Sequence, residues 1–221
     1  MAERVSISAG KKRNLKLLAD PEGRFRMMAI DQRGSLKRML AKVMGIEPDD
    51  VKYEDLARVK KIITKVLSPY SSATLMDPVY GYPYSIDYIP KDVGVLLAFE
   101  ETGYEKAGPN GRERRSRPIE GWSVEKAKKA GANAVKLLIY YRPEASDETL
   151  KHQQEFVKRV GEECERYDIP FLLELVSYPL LEDEIAASPD PEKPTTDTPV
   201  FARRKPEIVM KTAAEFSKPE Y

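Results

Sequence analysis

The sequence carries a single cysteine, Cys164, and a single histidine, His152, in 221 residues. One thiol excludes an internal disulfide framework and any multi-cysteine zinc or iron–sulfur site, and one imidazole excludes two- and three-histidine metal centres. Chemistry by histidine-bound zinc is ruled out with them. An excess of one charge is also missing, because 37 Lys plus Arg stand against 36 Asp plus Glu. There is no general cationic field for nucleic acid or an anionic membrane surface to act on, so an anionic partner must be met by a local cluster. No stretch approaches the ~18 apolar residues of a membrane span. The first thirty residues mix Glu3, Arg4, Lys11, Lys12, Arg13, Lys16 and Asp20 among the apolar ones, which leaves no secretory h-region. These absences give the expectation of a cytoplasmic, reduced, soluble protein that binds neither membrane nor nucleic acid. Length alone gives one domain, or at most two.

What is present is an alternation of strand-length apolar runs with amphipathic runs of helix length, the pattern of a parallel sheet with crossover helices. The expected strands are Phe25 to Asp31, Ala73 to Asp77, Val93 to Glu100, Ala134 to Tyr141 and Pro170 to Tyr178. Between them, Val51, Leu56, Val59, Ile62, Ile63, Val66 and Leu67 form one stripe at helical spacing. Ser123, with Glu125 following, starts another helix that Gly131 ends. Ser146 or Asp147 caps a long one with Phe156, Val157, Val160 and Cys164 on one side. Pro206 is expected in the first turn of a last helix carrying Ile208, Val209, Thr212, Ala213 and Phe216.

That makes roughly five βα units, whereas a closed barrel needs eight and typically ~250 residues. Two α/β architectures follow: an open doubly wound sheet, or a (β/α)8 TIM-barrel type with only about its first five βα units and two unpaired edges. The turn Asp31-Gln32-Arg33-Gly34-Ser35 lacks the Gly-x-Gly-x-x-Gly spacing of a dinucleotide site, and no Walker-type loop occurs. Pro179 to Pro206 reads as a long proline-rich loop, either a lid or simply mobile. Gly103 to Pro118 holds Arg112, Arg114, Arg115 and Arg117, which fit a phosphate clamp or, more commonly for such runs, a solvated basic loop.

Three charges stand where a charge is expensive. Lys136 interrupts the apolar strand Ala-Val-Lys-Leu-Leu-Ile. Burial lowers an ammonium's pKa and suits it to imine formation or to polarising a carbonyl, while a structural ion pair or a lysine snorkelling to the rim explains it equally well. Glu174 is the lone charge in Leu-Leu-Glu-Leu-Val on the next strand. A carboxyl in apolar surroundings has the raised pKa of a proton shuttle, and a buried structural pair is the alternative. Asp31 ends the first strand, where βα sites gather catalytic groups, with Gln32 and Arg33 following to hydrogen-bond or counter an oxyanion. Its alternative is a helix cap.

Asp31-Gln32-Arg33-Gly34 with Leu36-Lys37-Arg38-Met39, then Leu75-Met76-Asp77-Pro78 with Tyr80-Gly81, Glu101-Thr102-Gly103-Tyr104, Ala134-Val135-Lys136 with Tyr140-Tyr141, and Pro170-Phe171 with Leu173-Glu174 together resemble the class I tagatose 1,6-bisphosphate aldolases in order and spacing. They are also similar to the sulfofructose-phosphate aldolases. The resemblance implies an eight-fold βα-barrel and cleavage of a ketohexose 1,6-bisphosphate to dihydroxyacetone phosphate and glyceraldehyde 3-phosphate through a Schiff base, with no metal and no cofactor. It implies that Glu174 is the acid/base, that Lys136 is the second active-site lysine holding a substrate oxygen, and that Asp31 and Gln32 orient sugar hydroxyls. Arg33 near a phosphate is an inference from charge.

The resemblance places the Schiff-base lysine on a sixth strand, after the counterpart of Phe216-Ser217-Lys218-Pro219-Glu220-Tyr221, and Tyr221 is the last residue of this sequence. The expectation is therefore an incomplete βα-barrel domain over 1–221, related to a sugar-phosphate lyase and inactive as this chain. The alternative is a non-catalytic half-barrel that binds a sugar phosphate or pairs with a second copy or a complementing chain through the open edges of its first and fifth strands.

Overall fold

The five expected apolar runs form one parallel sheet. The computed structural model describes residues 6–221, so the first five residues of the expected 1–221 domain, Glu3 and Arg4 among them, lie outside it. The sheet strands are β1 (Met27–Ile30), β2 (Ala73–Met76), β3 (Gly94–Ala98), β6 (Ala134–Tyr140) and β7 (Phe171–Val176); β4 (Glu105–Ala107) and β5 (Glu113–Arg115) form a separate antiparallel hairpin. The helices are α1 (Ala9–Leu18), α2 (Gly34–Met44), α3 (Tyr53–Leu67), α4 (Tyr82–Ser85), α5 (Val124–Lys129), α6 (Asp147–Arg166), α7 (Glu182–Ala186) and α8 (Pro199–Phe216).

Strand order decides between the two architectures. A doubly wound sheet reverses its order at a switch point, where chain and sheet order part. Here the order is β1-β2-β3-β6-β7, every neighbouring pair is parallel, and each strand lies beside the sheet strand that precedes it, the β4–β5 hairpin standing apart between β3 and β6. That is a singly wound half-barrel, a partial TIM-barrel fold.

Side chains alternate between the two faces of a strand. On β6, Val135, Leu137 and Ile139 point to the helix layer and pack with Val124 and Ala127 of α5 and with Phe156, Val157, Val160 and Cys164 of α6. Ala134 points to the concave face, where Leu18 and Leu15 of α1 pack on it together with Ala73 and Leu96. This helix closes the N-terminal end of the strands. It fits because β3 begins with Gly94, where a Cβ would lie 2.7 Å from the Leu17 carbonyl oxygen and 2.9 Å from Leu18 Cδ2. Gly94→Ala is expected to push α1 outward at about 1–3 kcal/mol, the usual cost of overpacking, and thermal unfolding of the variant checks it.

Three expectations are corrected. Pro206 lies inside α8 and not in its first turn, because Thr198 caps the helix on Phe201 N and Pro199 occupies the first turn. The expected 179–206 loop contains α7 and the start of α8. It is pinned by Glu184, which accepts from Leu180 N (2.9 Å) and Leu181 N (3.1 Å) and forms a fully buried pair with Arg142. The arginine-rich segment is the β4–β5 hairpin, and three of its guanidiniums are paired: Arg112 to Glu182, Arg115 to Glu148 and Arg117 to Glu105.

Candidate active site

Register explains why a lysine is tolerated in the middle of β6. Lys136 stands opposite Ala98 on β3 and Leu172 on β7, both apolar, so its ammonium must reach along the concave face toward the C-terminal strand ends. Two residues further on each neighbour stands a carboxylate: Glu100 just beyond β3, and Glu174 on β7. Asp31, directly after β1, arrives from the far side. The Lys136 Nζ lies 3.0 Å from Asp31 Oδ2, 3.0 Å from Glu100 Oε1 and 2.8 Å from Glu174 Oε2, and its side chain is 2% exposed. One ammonium and three carboxylates thus meet at the mouth of the half-barrel.

The surroundings of Lys136 match one of its two expected readings, and those of Glu174 differ from the expected ones. Burial alone would lower the pKa of Lys136, but Glu100, then Asp31 and Glu174, outweigh it and hold the ammonium above its ordinary range. The geometry thus favours the ion-paired reading of Lys136. The sequence pattern puts Glu174 in apolar surroundings. Its side chain is 46% exposed instead, because β7 is the sheet's last strand and its concave side faces open space.

Glu100 takes the environment expected for Glu174. It is buried, its Oε2 accepts from Leu138 N at 2.9 Å, and desolvation raises its pKa against the opposing pull of Lys136. Sequence reasoning missed it. The available signal was its place at a strand's C-terminal end, the same place that singled out Asp31.

All five expected site residues line one cavity of about 580 Å³. Asp31, Gln32, Arg33, Lys136 and Glu174 share it with Glu100, Tyr104, Leu138 and Tyr140. Gln32 is exposed on its rim. Arg33 is buried; it donates to Glu101 Oε1 at 3.0 Å and to the Glu100 carbonyl, tying the loop after β1 to the loop after β3. Asp31 is no helix cap: Arg33 takes the N-cap position of α2, which has no side-chain cap bond. A cavity of 560 Å³ at the other end of the strands gathers Asp20 and Arg26, already paired with each other, and offers no comparable convergence.

Behind the site lies a pair that sequence reasoning also missed. Lys60 of α3 and Asp77 are both fully buried and 2.6 Å apart. Lys60 also donates to the Ile30 carbonyl at 2.6 Å, one residue before Asp31, and Asp77 Oδ1 accepts from Val79 N and Tyr80 N. The pair ties the ends of β1 and β2 together. Cys164, packed in the core, has its thiol pushed up to about 12 by burial and is no nucleophile. Among the described residues, no group of three or more His, Cys, Asp or Glu side chains is arranged to hold a metal ion. No helix of the described chain is long and apolar enough to cross a membrane.

A βα half-barrel with a caged lysine at the carboxyl ends of its strands places the chain among barrel proteins that gather their chemistry at that face. The chain belongs to the DeoC/LacD family of aldolases, whose family model matches residues 25–209. It is 38% identical over 217 residues to a protein named tagatose 1,6-diphosphate aldolase 2 from Enterococcus faecalis, across 98% of this chain and 60% of the relative. It is 36% identical over 215 residues to tagatose 1,6-diphosphate aldolase of Lactococcus lactis subsp. lactis, across 97% and 60%. The chain thus spans about 60% of the length of these relatives. Among solved structures, an archaeal fructose 1,6-bisphosphate aldolase aligns with a TM-score of 0.48 and 17% identity, over 80% of this chain and 62% of that one.

Proposed function

We propose that this chain forms the first five βα units of a class I aldolase that cleaves a ketohexose bisphosphate, such as tagatose 1,6-bisphosphate, to dihydroxyacetone phosphate and glyceraldehyde 3-phosphate. The observation that carries the reading is the caged Lys136, held within 3.0 Å of three carboxylates inside a cavity of about 580 Å³. Aldol cleavage needs an electron sink at the substrate's carbonyl carbon and a base for the proton of the hydroxyl carried by the far carbon of the breaking bond, which leaves as the aldehyde. An iminium on a neutral lysine supplies the sink in a class I enzyme. Lys136, kept protonated by its carboxylates, is suited to hold a substrate oxygen instead. Glu174, half exposed at the mouth and in contact with Lys136, is placed to exchange protons with both substrate and solvent. Asp31 and Gln32 orient sugar hydroxyls, and Arg33, buried and paired with Glu101, holds the cavity wall between the two loops. The resemblance puts the imine-forming lysine on a sixth strand. Carbohydrate metabolism of this kind belongs in the cytoplasm, with no metal in the bond-breaking step.

Borohydride reduction in the presence of the ketose bisphosphate tests the assignment. The expected result is no covalent adduct on this chain and one on a polypeptide that carries the sixth strand. An adduct at Lys136 would overturn its role as a fixed cation and make that residue the nucleophile.

A second reading has its own support. The residues of β7 are only half-buried or exposed, although five of its six are apolar, and its outer edge has no strand partner among the described residues. An apolar edge strand is a template for another strand. A non-catalytic half-barrel that takes up a complementing chain, or a second copy, through this edge is the alternative. Light scattering of the purified chain separates the two: a stable monomer removes the support for pairing.

A further inference from the structure

One arginine of the β4–β5 hairpin differs from its neighbours. Arg112, Arg115 and Arg117 each have a carboxylate partner, but Arg114 has none among the described residues. It is half-buried, and three tyrosine rings surround it: its Cζ lies 4.4 Å from the centroid of Tyr104, 4.8 Å from that of Tyr178 and 5.5 Å from that of Tyr140. Contacts of this kind hold the guanidinium by cation–π attraction, and none of its N–H donors has a hydrogen-bond partner among the described residues. Those donors form the fork that matches a phosphate or sulfonate bidentately. The rings are themselves locked, Tyr104 against Tyr140 at 5.1 Å and Tyr140 against Tyr178 at 6.3 Å, and the Tyr178 hydroxyl accepts from Arg114 N at 3.2 Å.

The position adjoins the active-site cavity through Tyr104 and Tyr140, although Arg114 itself lines the neighbouring hollow and not that cavity. Tyr104 and Tyr140 line the Lys136 cavity, and Tyr104 is shared with a second hollow of about 270 Å³ that Lys106, Asn110, Arg112 and Arg114 also line. Glu192 is the one carboxylate on that hollow, opposed by three cations. Tyr140 is on the same face of β6 as Lys136, four residues on, which is roughly 13 Å at the strand's rise. That suits a six-carbon chain laid along the strand with an anion at its far end.

We propose that Arg114, seated among Tyr104, Tyr140 and Tyr178, anchors the terminal tetrahedral oxyanion of the substrate at the end remote from Lys136. The shared chemistry is that of a phosphate ester or a sulfonate carried on a sugar. The proposal rests on the sugar-phosphate reading above, and its test keeps the two apart.

The test is calorimetric titration of the 221-residue chain and its R114M and R114K variants with inorganic phosphate, methanesulfonate, the ketose bisphosphate and the unphosphorylated ketose. R114M is expected to bind the preferred anion and the bisphosphate about tenfold more weakly or worse, the loss of charge-assisted hydrogen bonds, and the bare ketose unchanged. R114K, which keeps the charge without the fork, is expected to fall between R114M and the parent and serves if R114M does not fold. Whichever of phosphate and methanesulfonate binds more tightly identifies the terminal group. Variants that bind both anions as tightly as the parent, or a parent that binds neither, would overturn the proposal. Arg114-dependent phosphate binding by a chain that takes no ketose bisphosphate supports the oxyanion site and overturns the sugar-phosphate reading alone.

Discussion

Replacing Lys136 by methionine is expected to cost about 3–5 kcal/mol of folding stability, the penalty for removing one partner of a buried ion pair. The cost falls mainly on Glu100, which is buried and loses the ammonium that opposes its desolvation. The sign of the pH dependence follows. A carboxyl whose pKa is raised by folding disfavours the native state when ionised, so its penalty is relieved as pH falls and the group takes up a proton. Without Lys136 that raised value goes higher still. The stability gap between Lys136→Met and the parent should therefore narrow as pH falls from about 8 to 5, measured by urea unfolding at each pH. A gap that stays constant over this range would mean that Glu100 and Lys136 do not share their charge in solution.

The second large effect is expected far from the cavity mouth. Arg142 and Glu184 are both fully buried and joined by two hydrogen bonds of 2.8 and 3.2 Å, and Arg142 also donates to the Tyr178 carbonyl at 2.6 Å. Glu184→Ala leaves the guanidinium without its main partner and frees Leu180 N and Leu181 N. The expected cost is about 3–5 kcal/mol, with earlier proteolysis in the 179–198 segment. Glu184 is desolvated, but its bonds to Arg142, Leu180 N and Leu181 N prevail, and its pKa is lowered. Its contribution is thus present above the ordinary carboxylate range and lost as pH falls through the lowered folded value, so limited proteolysis of the parent should show the segment loosening only in acid. Glu184→Ala cut no faster than the parent at neutral pH would show that the pair does not hold the segment down.

The strands and the helices α5 and α6 were legible because periodicity and caps agreed; α3 was legible as an element, but Ile62, Val66 and Leu67 of its expected stripe are exposed and its buried face is Leu56, Ala57, Lys60 and Thr64. Ser123 and Ser146 do cap α5 and α6, accepting from Lys126 N and Thr149 N. Helix α2 gave little to read, since only Leu36 and Ala41 are buried in it while Met39 and Val43 face out. Within the site, Asp31, Lys136 and Glu174 stood out as lone charges on apolar strands, and the fold brings them together. Glu100 did not stand out, because next to Glu101 it reads as the solvated end of a strand. Lys60 was hidden by the adjacent Lys61, although its spacing of four from Leu56 puts it on the buried stripe of α3. In both cases the adjacent like charge masked a positional signal that the sequence did contain.

The consecutive order of the sheet also bears on how the protein is made. Domains tend to fold from the N-terminal side as translation proceeds. Because each strand of the sheet docks beside the sheet strand that precedes it, its template already stands when it emerges, and only the outer edges of β1 and β7 are left without a strand partner among the described residues. The price is a sticky border that travels with the newest strand, which makes the interval between emergence of β7 and the covering of its edge the moment at which chaperone shielding matters most.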